Sequence, residues 1–178
     1  MKKIVLNALV SGFLATMAGA ALAADTGNIS FVGEITTSAC SIGGGQQGTD
    51  MIVPMGSIST NMFSSGLGSK SPEVDFTISL LGCDTTVANT AHIAFRPGAG
   101  SVVDSRLLSL ESGAGAQGVA VGLATASGTA IVVGGAAGNY SLIEGTNILR
   151  FKAFYEATAA TVTAGSANAR AVFEVTYS

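Results

Sequence analysis

The sequence has few groups that can carry out chemistry. It contains one histidine, two cysteines and three prolines in 178 residues, and only 11% of its residues are charged. A hydrolytic triad needs a histidine base, but His92 has Ile93 and Phe95 beside it, and the chain has no G-x-S-x-G nucleophile motif. A histidine on the surface of a strand is the simpler interpretation. The sequence therefore argues against an enzyme, and it predicts no cofactor.

Basic residues are also scarce. The chain has 8 lysine and arginine residues against 11 acidic ones, a net charge of −3. Phosphate contacts need clustered basic side chains, and no such cluster is present. The charge balance therefore argues against a nucleic-acid partner.

Long apolar runs are lacking everywhere except at the N-terminus. There, Lys2 and Lys3 precede the mostly apolar stretch Ile4–Met17, and Ala21–Ala23 forms a small-residue cleavage site. Residues 1–23 are therefore predicted to be a signal peptide, leaving residues 24–178 as one domain-sized mature chain. A transmembrane helix is the alternative, but polar and small residues dilute the run and a cleavage-type sequence ends it.

The two cysteines have a simple meaning in an exported chain. Cys40 and Cys83 are 43 residues apart, and each has one possible partner in the chain. An oxidising compartment favours a disulfide between them, whereas a metal site would need two further ligands. The sequence thus predicts a Cys40–Cys83 bridge and no metal site.

Short alternating apolar segments separated by glycine, serine, asparagine and aspartate indicate an all-β fold, a sandwich or a barrel. In the clearest of them, Glu73 to Cys83, the apolar and polar side chains alternate between the two faces. A hairpin is predicted around Ser127 and Gly128. The predicted strands are 38–42, 51–55, 73–83, 91–95, 119–125, 129–133, 148–157 and 170–177.

Two patterns imitate functional sites. Residues 113–118 match G-x-G-x-x-G, but this motif binds a pyrophosphate only between a strand and a helix, and here a strand-like Val119 follows. A plain loop is therefore expected. Glu73 and Asp75 share one face of one strand, where they form a solvated edge more simply than an acid/base pair.

Several segments together resemble the chaperone/usher fimbrial subunits of Gram-negative bacteria, and the type 1 major pilin in particular. The segments of this chain that carry the resemblance are Gly27–Ile35, which precedes Thr37–Cys40, then Leu80–Cys83, Phe154–Thr158 and Val162–Gly165. The last of these leads into a final strand in which Tyr177 is the penultimate residue. Gly165 is the fourteenth residue from the end of the sequence. The resemblance covers the whole mature chain.

The resemblance implies an incomplete immunoglobulin-like β-sandwich, completed by a donor strand from a neighbouring subunit. Residues 1–23 are then the signal peptide, 24–36 the N-terminal donor-strand arm, and 37–178 the pilin domain. Alternate arm residues would enter the groove of the neighbour, namely Ile29, Phe31, Gly33 and Ile35. The strand that a chaperone grips, and that lines the groove, would include Gly165, Phe173, Val175 and Tyr177.

The implied function is that of a structural subunit that polymerises into a surface fimbria and supports cell adhesion. Its implied partners are identical subunits, other fimbrial subunits, a periplasmic chaperone and an outer-membrane usher. Two alternatives stay open, a minor or adaptor fimbrial subunit and a free-standing secreted binding module. Without the resemblance, residues 29–35 fit an ordinary first strand of the chain's own domain equally well.

Overall fold

A computed structural model describes residues 28–30, 33, 35, 37–113 and 115–178. The chain divides into two units, residues 1–35 and residues 36–178. In the first unit, the described residues belong to no strand, and Ile29 and Ile35 are exposed. The predicted signal peptide and Phe31 of the predicted arm lie outside the described residues.

The described residues of the second unit form ten strands and two short 3-10 turns, Gly45–Gln47 and Thr60–Phe63. The strands are β1 (Ser41–Ile42), β2 (Val74–Cys83), β3 (Thr90–Pro97), β4 (Val102–Val103), β5 (Leu107–Leu108), β6 (Val119–Thr125), β7 (Ala130–Ile131), β8 (Gly138–Ser141), β9 (Gly145–Ala157) and β10 (Ala171–Tyr177). The all-β prediction is confirmed.

The strands form two antiparallel sheets. The larger has the order β1-β2-β9-β6-β5-β4, with β7 pairing β6, and the smaller has the order β10-β3-β8. The predicted hairpin is present, because Leu123 pairs with Ile131 and the amide of Thr125 donates to the carbonyl of Thr129. Strand β10 has a neighbour on one side only, so its other edge is free among the described residues.

An aromatic cluster joins the two sheets. Phe76 and Phe151 lie directly opposite each other on β2 and β9, with ring centroids 5.5 Å apart. Phe95 of the smaller sheet meets Phe151 edge-on at 5.2 Å, and Tyr140 does so at 5.7 Å. Edge-to-face contacts of this kind are favoured over face-to-face stacking. Phe151 is fully buried and marks the centre of the core.

The predicted disulfide is present. It joins Cys40, just before β1, to Cys83 at the end of β2. The amide of Asp84 also donates to the carbonyl of Ala39 at 2.9 Å. The bridge therefore ties the start of the second unit to one of its central strands.

Several predicted strand limits are wrong. Only residues 41–42 of the segment predicted at 38–42 are paired, and β7 is shorter than predicted, whereas β9 begins earlier, at Gly145. Strands β4, β5 and β8 were not predicted, because they are only two to four residues long and contain or adjoin glycine-rich connections. Met51–Met55 was predicted as a strand but is extended chain outside any sheet.

Candidate functional site

An open, mostly apolar groove lies between an extended segment that belongs to no sheet and the free edge of β10. Its volume is about 1090 Å³. One wall is the extended segment 48–56 and the other is the segment 167–173, which runs into β10. The floor is formed by core side chains from both sheets, namely Phe76, Ile78, Phe95, Leu108, Val121, Leu123, Ala153 and Tyr155.

The first wall is extended chain with no ladder. Met51, Val53 and Met55 pack against the core, while the alternate residues Ile52 and Pro54 are exposed. Alternation of this kind is the signature of a strand that lies on a core. Within the described part of the chain, however, no hydrogen bond involves the backbone of residues 53–58. The segment is thus shaped like a strand and lacks a partner.

The second wall offers a free row of backbone groups. Thr90 and Ser178 exchange both hydrogen bonds at 3.0 Å, and the amide of Gly98 donates to the carbonyl of Arg170 at 2.8 Å. In an antiparallel ladder such hydrogen-bonded pairs recur at every second residue. The even-numbered residues of β10 therefore bond to β3, and the N–H and C=O groups of Ala171, Phe173, Val175 and Tyr177 point toward the free edge.

The same odd-numbered residues of β10 carry the apolar face. Phe173, Val175 and Tyr177 are half-buried and pack against the core, whereas Val172, Glu174 and Thr176 are exposed. Of the predicted residues, Phe173 lines the groove. Val175 and Tyr177 continue the same face beyond its lining.

Gly165 lies outside the groove lining and has a steric role. A Cβ atom there would stand 2.1 Å from the backbone carbon of Gly115 and 2.3 Å from the backbone nitrogen of Ala116. The neighbouring Ser166 accepts hydrogen bonds from the amides of both. Gly165 therefore lets the chain that leads into β10 pack closely against another loop.

Two tyrosines of this region differ in their hydrogen bonding. Tyr155 lies on the groove floor, and its hydroxyl donates to the carbonyl of Ala167 at 2.8 Å. The hydroxyl oxygen of Tyr177 is buried but has no hydrogen-bond partner among the described residues. Burial raises the pKa of both phenols.

Sequence reasoning missed part of the groove wall. Ala167, Ala169 and Ala171 line it, while the polar Asn168 and Arg170 stand between them. This alternation of small and polar residues continues the pattern of β10 upstream. It was the signal that could have revealed the wall.

The charged groups near the groove form one ion pair at its mouth. The Nε atom of Arg170 lies 3.3 Å from Oε1 of Glu111. Asp50 lines the opposite wall. The remaining lining side chains are mostly apolar, with Thr49 and Asn168 as polar exceptions, so the groove suits an apolar strand better than a charged ligand.

The other candidate residues considered in the sequence make ordinary structural contacts. His92 lies on β3, with Nδ1 2.8 Å from Oδ1 of Asn139 and Nε2 2.8 Å from Oγ of Ser178. Glu73 pairs with Lys152 at 2.7 Å, and this hydrogen bond raises the pKa of the lysine. After the glycine motif, β6 begins at Val119, so a strand follows the motif and not a helix.

The described residues contain neither a metal-binding cluster nor a membrane-spanning helix. No group of three or more His, Cys, Asp or Glu side chains stands close enough together to hold a metal ion. No helix in the described ranges is both long and apolar enough to cross a membrane.

Two antiparallel sheets over one core, with an empty strand position beside β10, define an incomplete immunoglobulin-like sandwich. The family model described as fimbrial protein matches residues 29–178. The chain therefore belongs to the fimbrial protein family, and it is a structural subunit of a cell-surface fimbria that assembles with other subunits.

Individual relatives agree. The chain is 36% identical over 180 residues to the probable major fimbrial subunit LpfA of Escherichia coli O157:H7. The match covers 99% of this chain and 97% of the relative. It is 36% identical over 178 residues to the type-1 fimbrial protein A chain of Escherichia coli K12, at 98% and 95% coverage. A subunit in the structure of a chaperone-usher pilus matches with a TM-score of 0.71 and 27% identity, over 86% of this chain and 96% of that one.

Proposed function

We propose that this subunit polymerises by donor-strand exchange, in which residues 24–36 of each incoming subunit fill the groove of the subunit before it. The observation that carries the proposal is the apolar groove of about 1090 Å³, which lies between the extended segment 48–56, outside any sheet, and the edge of β10 that has no strand beside it among the described residues. A strand inserted there would bond to the free groups of β10 and cover the half-buried residues of both walls. Strand addition of this kind is a recurrent mode of recognition, and pilin assembly is a standard example of it.

The arm has the alternation that such a strand needs. Ile29, Phe31, Gly33 and Ile35 would face the groove, and the residues between them would face outward. Burying the three large side chains would contribute roughly 4–9 kcal/mol before the cost of ordering the arm. Gly33 would allow close approach of the two backbones. The family match begins at Ile29, so it includes this segment.

The groove also implies that another protein covers it before the subunit is assembled. An apolar groove with a free strand edge is prone to aggregation until it is covered. We propose that a periplasmic chaperone covers it by lending a strand to the edge formed by Phe173, Val175 and Tyr177, and that an outer-membrane usher then exchanges this strand for the arm of the next subunit. Residues 1–23 would direct export and be removed, and 37–178 would form the pilin domain.

In this proposal the subunit has no catalytic activity and no cofactor, and its role in adhesion is to build the fibre. A minor or adaptor subunit would use the same arm and groove, and would differ by its low abundance in the fibre. A free-standing secreted module would fold and persist as a monomer. The backbone of residues 53–58, which makes no hydrogen bond within the described part of the chain, and the free edge of β10 argue against the module.

The test is removal of the arm, followed by matched substitutions within it. Deletion of residues 24–36 should leave a subunit that is exported and binds chaperone but does not extend fibres, as seen by electron microscopy. Phe31→Asp should have the same effect, because it places a charge in the groove. Val32→Asp is the matched control and should leave fibres intact, because residue 32 faces outward.

Normal fibres from the deletion would contradict donor-strand exchange through this arm. Equal loss of fibres with Phe31→Asp and Val32→Asp would contradict the assignment of the inward face. Counting this subunit among the polypeptides of purified fibres distinguishes a major from a minor role.

A further inference from the structure

We infer that Arg170 sets the register of the inserted arm by facing Glu34 of the neighbouring subunit across an antiparallel strand pair. In this register Ile35 lies opposite Ala169, and Phe31 lies opposite Phe173. The inference rests on the proposed donor-strand exchange and adds to it a residue that positions the arm.

The backbone restricts the arm to a few registers. The free groups of β10 belong to its odd-numbered residues, whose side chains also face the core. The apolar residues of the arm are odd-numbered as well, so odd residues must oppose odd residues, and the possible registers differ by steps of two. In an antiparallel arrangement Glu34 can then face Asn168, Arg170, Val172 or Glu174.

The position of the open groove favours the registers near Arg170. The lining on this wall runs from Ala167 to Phe173 and does not include Val175 or Tyr177. With Glu34 opposite Arg170, Phe31 and Ile35 both fall beside this lining. With Glu34 opposite Val172, Phe31 moves beyond it, to Val175.

Charge selects among the registers that remain. Directly opposed charges of opposite sign stabilise a strand pair, and like charges destabilise it. Arg170 is the only basic residue among the four possible partners of Glu34, and Glu174 is acidic. The even-numbered pairs would also be the non-hydrogen-bonded pairs, in which side chains lie closest together. A slip toward Glu174 therefore replaces attraction with repulsion.

Arg170 is held where it can make this contact. A Cβ atom on Gly98 would lie 2.9 Å from Cγ of Arg170, so the missing side chain of the glycine leaves room for the arginine stem. Its side chain is 70% exposed, and its pairing with Glu111 occupies one guanidinium nitrogen. The guanidinium has five N–H donors, so it can bind a second carboxylate.

The orientation of the arm follows from the same geometry. All strand pairs of the described sheets are antiparallel. In a parallel arrangement, Glu34 opposite Arg170 would place residues 29–33 beside residues 165–169. Phe173 and the rest of β10 would then stay uncovered.

Disulfide mapping in fibres of the full-length protein tests the register without altering the charge pair. Val32→Cys should crosslink to Val172→Cys between subunits, giving a covalent ladder on non-reducing gels, because these positions face each other two residues from Glu34 and Arg170. The matched controls are Val32→Cys with Glu174→Cys and with Thr176→Cys, which report slipped registers. A dominant crosslink to Glu174→Cys or to Thr176→Cys would overturn the inference while leaving donor-strand exchange intact.

A charge swap provides a second measurement if an added cysteine disturbs the native disulfide. Arg170→Glu and Glu34→Lys should each reduce incorporation into fibres by about fivefold in competition with the wild-type subunit. The double variant should regain most of this loss when it assembles with itself. Two single losses that simply add, or no loss at all, would overturn the role of Arg170. Fibres from the arm deletion would instead refute the proposed function.

Discussion

Strands β9 and β10 both direct odd-numbered apolar residues toward the core but differ in how completely these residues are covered. Strand β9 lies between β2 and β6, and its inward residues Phe151, Ala153 and Tyr155 are buried. Strand β10 has one neighbour among the described residues, and its inward residues are only half-buried. The side chains on the two strands are equally apolar, so the difference in burial comes from the missing neighbour and not from the sequence of the strand.

This comparison predicts different costs for truncating an aromatic residue in each region. Phe151→Ala should lower the free energy of unfolding by close to 5 kcal/mol, the upper end for a fully enclosed phenylalanine. Phe173→Ala should cost about half as much in the free subunit. Urea unfolding of the mature subunit, with and without excess synthetic peptide of residues 24–36, measures both.

The peptide sharpens the comparison. It should raise the cost of Phe173→Ala toward that of Phe151→Ala, because a filled groove completes the burial of Phe173. The cost of Phe151→Ala should not change with the peptide. If Phe173→Ala costs the same with and without peptide, the arm does not cover this residue.

The disulfide gives the next largest expected effect. Replacing Cys40 and Cys83 together by serine should lower the free energy of unfolding by roughly 4 kcal/mol, since the bridge closes a 43-residue separation and restricts the unfolded chain. Denaturant unfolding measures the loss, and thiol titration of the unfolded wild-type protein under non-reducing conditions should find no free cysteine. Two reactive thiols per chain would refute the bridge.

The sequence predicted the long strands well and the groove only in part. Strands β2 and β10 follow clear alternation, and β6, a short apolar run that is buried on both faces, matches its predicted limits. The groove depends on a neighbour that is absent, and a local pattern cannot show this absence. Met51–Met55 alternates like a paired strand, so the pattern predicted a strand where the structure has extended chain without a ladder.

The short strands and the role of Gly165 were beyond local reasoning for another reason. Strands β4 and β5 have two residues each, so they contain no periodic signal. The close contact of Gly165 with Gly115 and Ala116 joins segments about fifty residues apart in sequence. A glycine that allows such an approach is recognised only once both segments are placed.

The two tyrosines allow a smaller comparison within the groove region. Tyr155→Phe should cost about 1 kcal/mol, because it removes the hydrogen bond to Ala167. Tyr177→Phe should be neutral or stabilising by a similar amount, because it removes a buried hydroxyl that has no partner among the described residues. Thermal unfolding of both variants measures the difference. A larger loss for Tyr177→Phe would show that its hydroxyl has a partner in solution.

Alkaline pH gives the smallest effect, and it follows from the same two phenols. Burial raises the pKa of Tyr155 and Tyr177 above the value of about 10 expected in the unfolded chain, so the folded state favours the neutral forms. Their contribution to stability is complete below pH 10 and is lost as the pH rises through the folded-state pKa. Stability should therefore fall more steeply above pH 10 in the wild type than in Tyr155→Phe or Tyr177→Phe, as measured by urea midpoints between pH 8 and pH 11. If the urea midpoints of the wild type and both variants fall equally with pH, the fold does not hold either phenol in its neutral form. The Tyr155 hydroxyl on the groove floor would then be open to water.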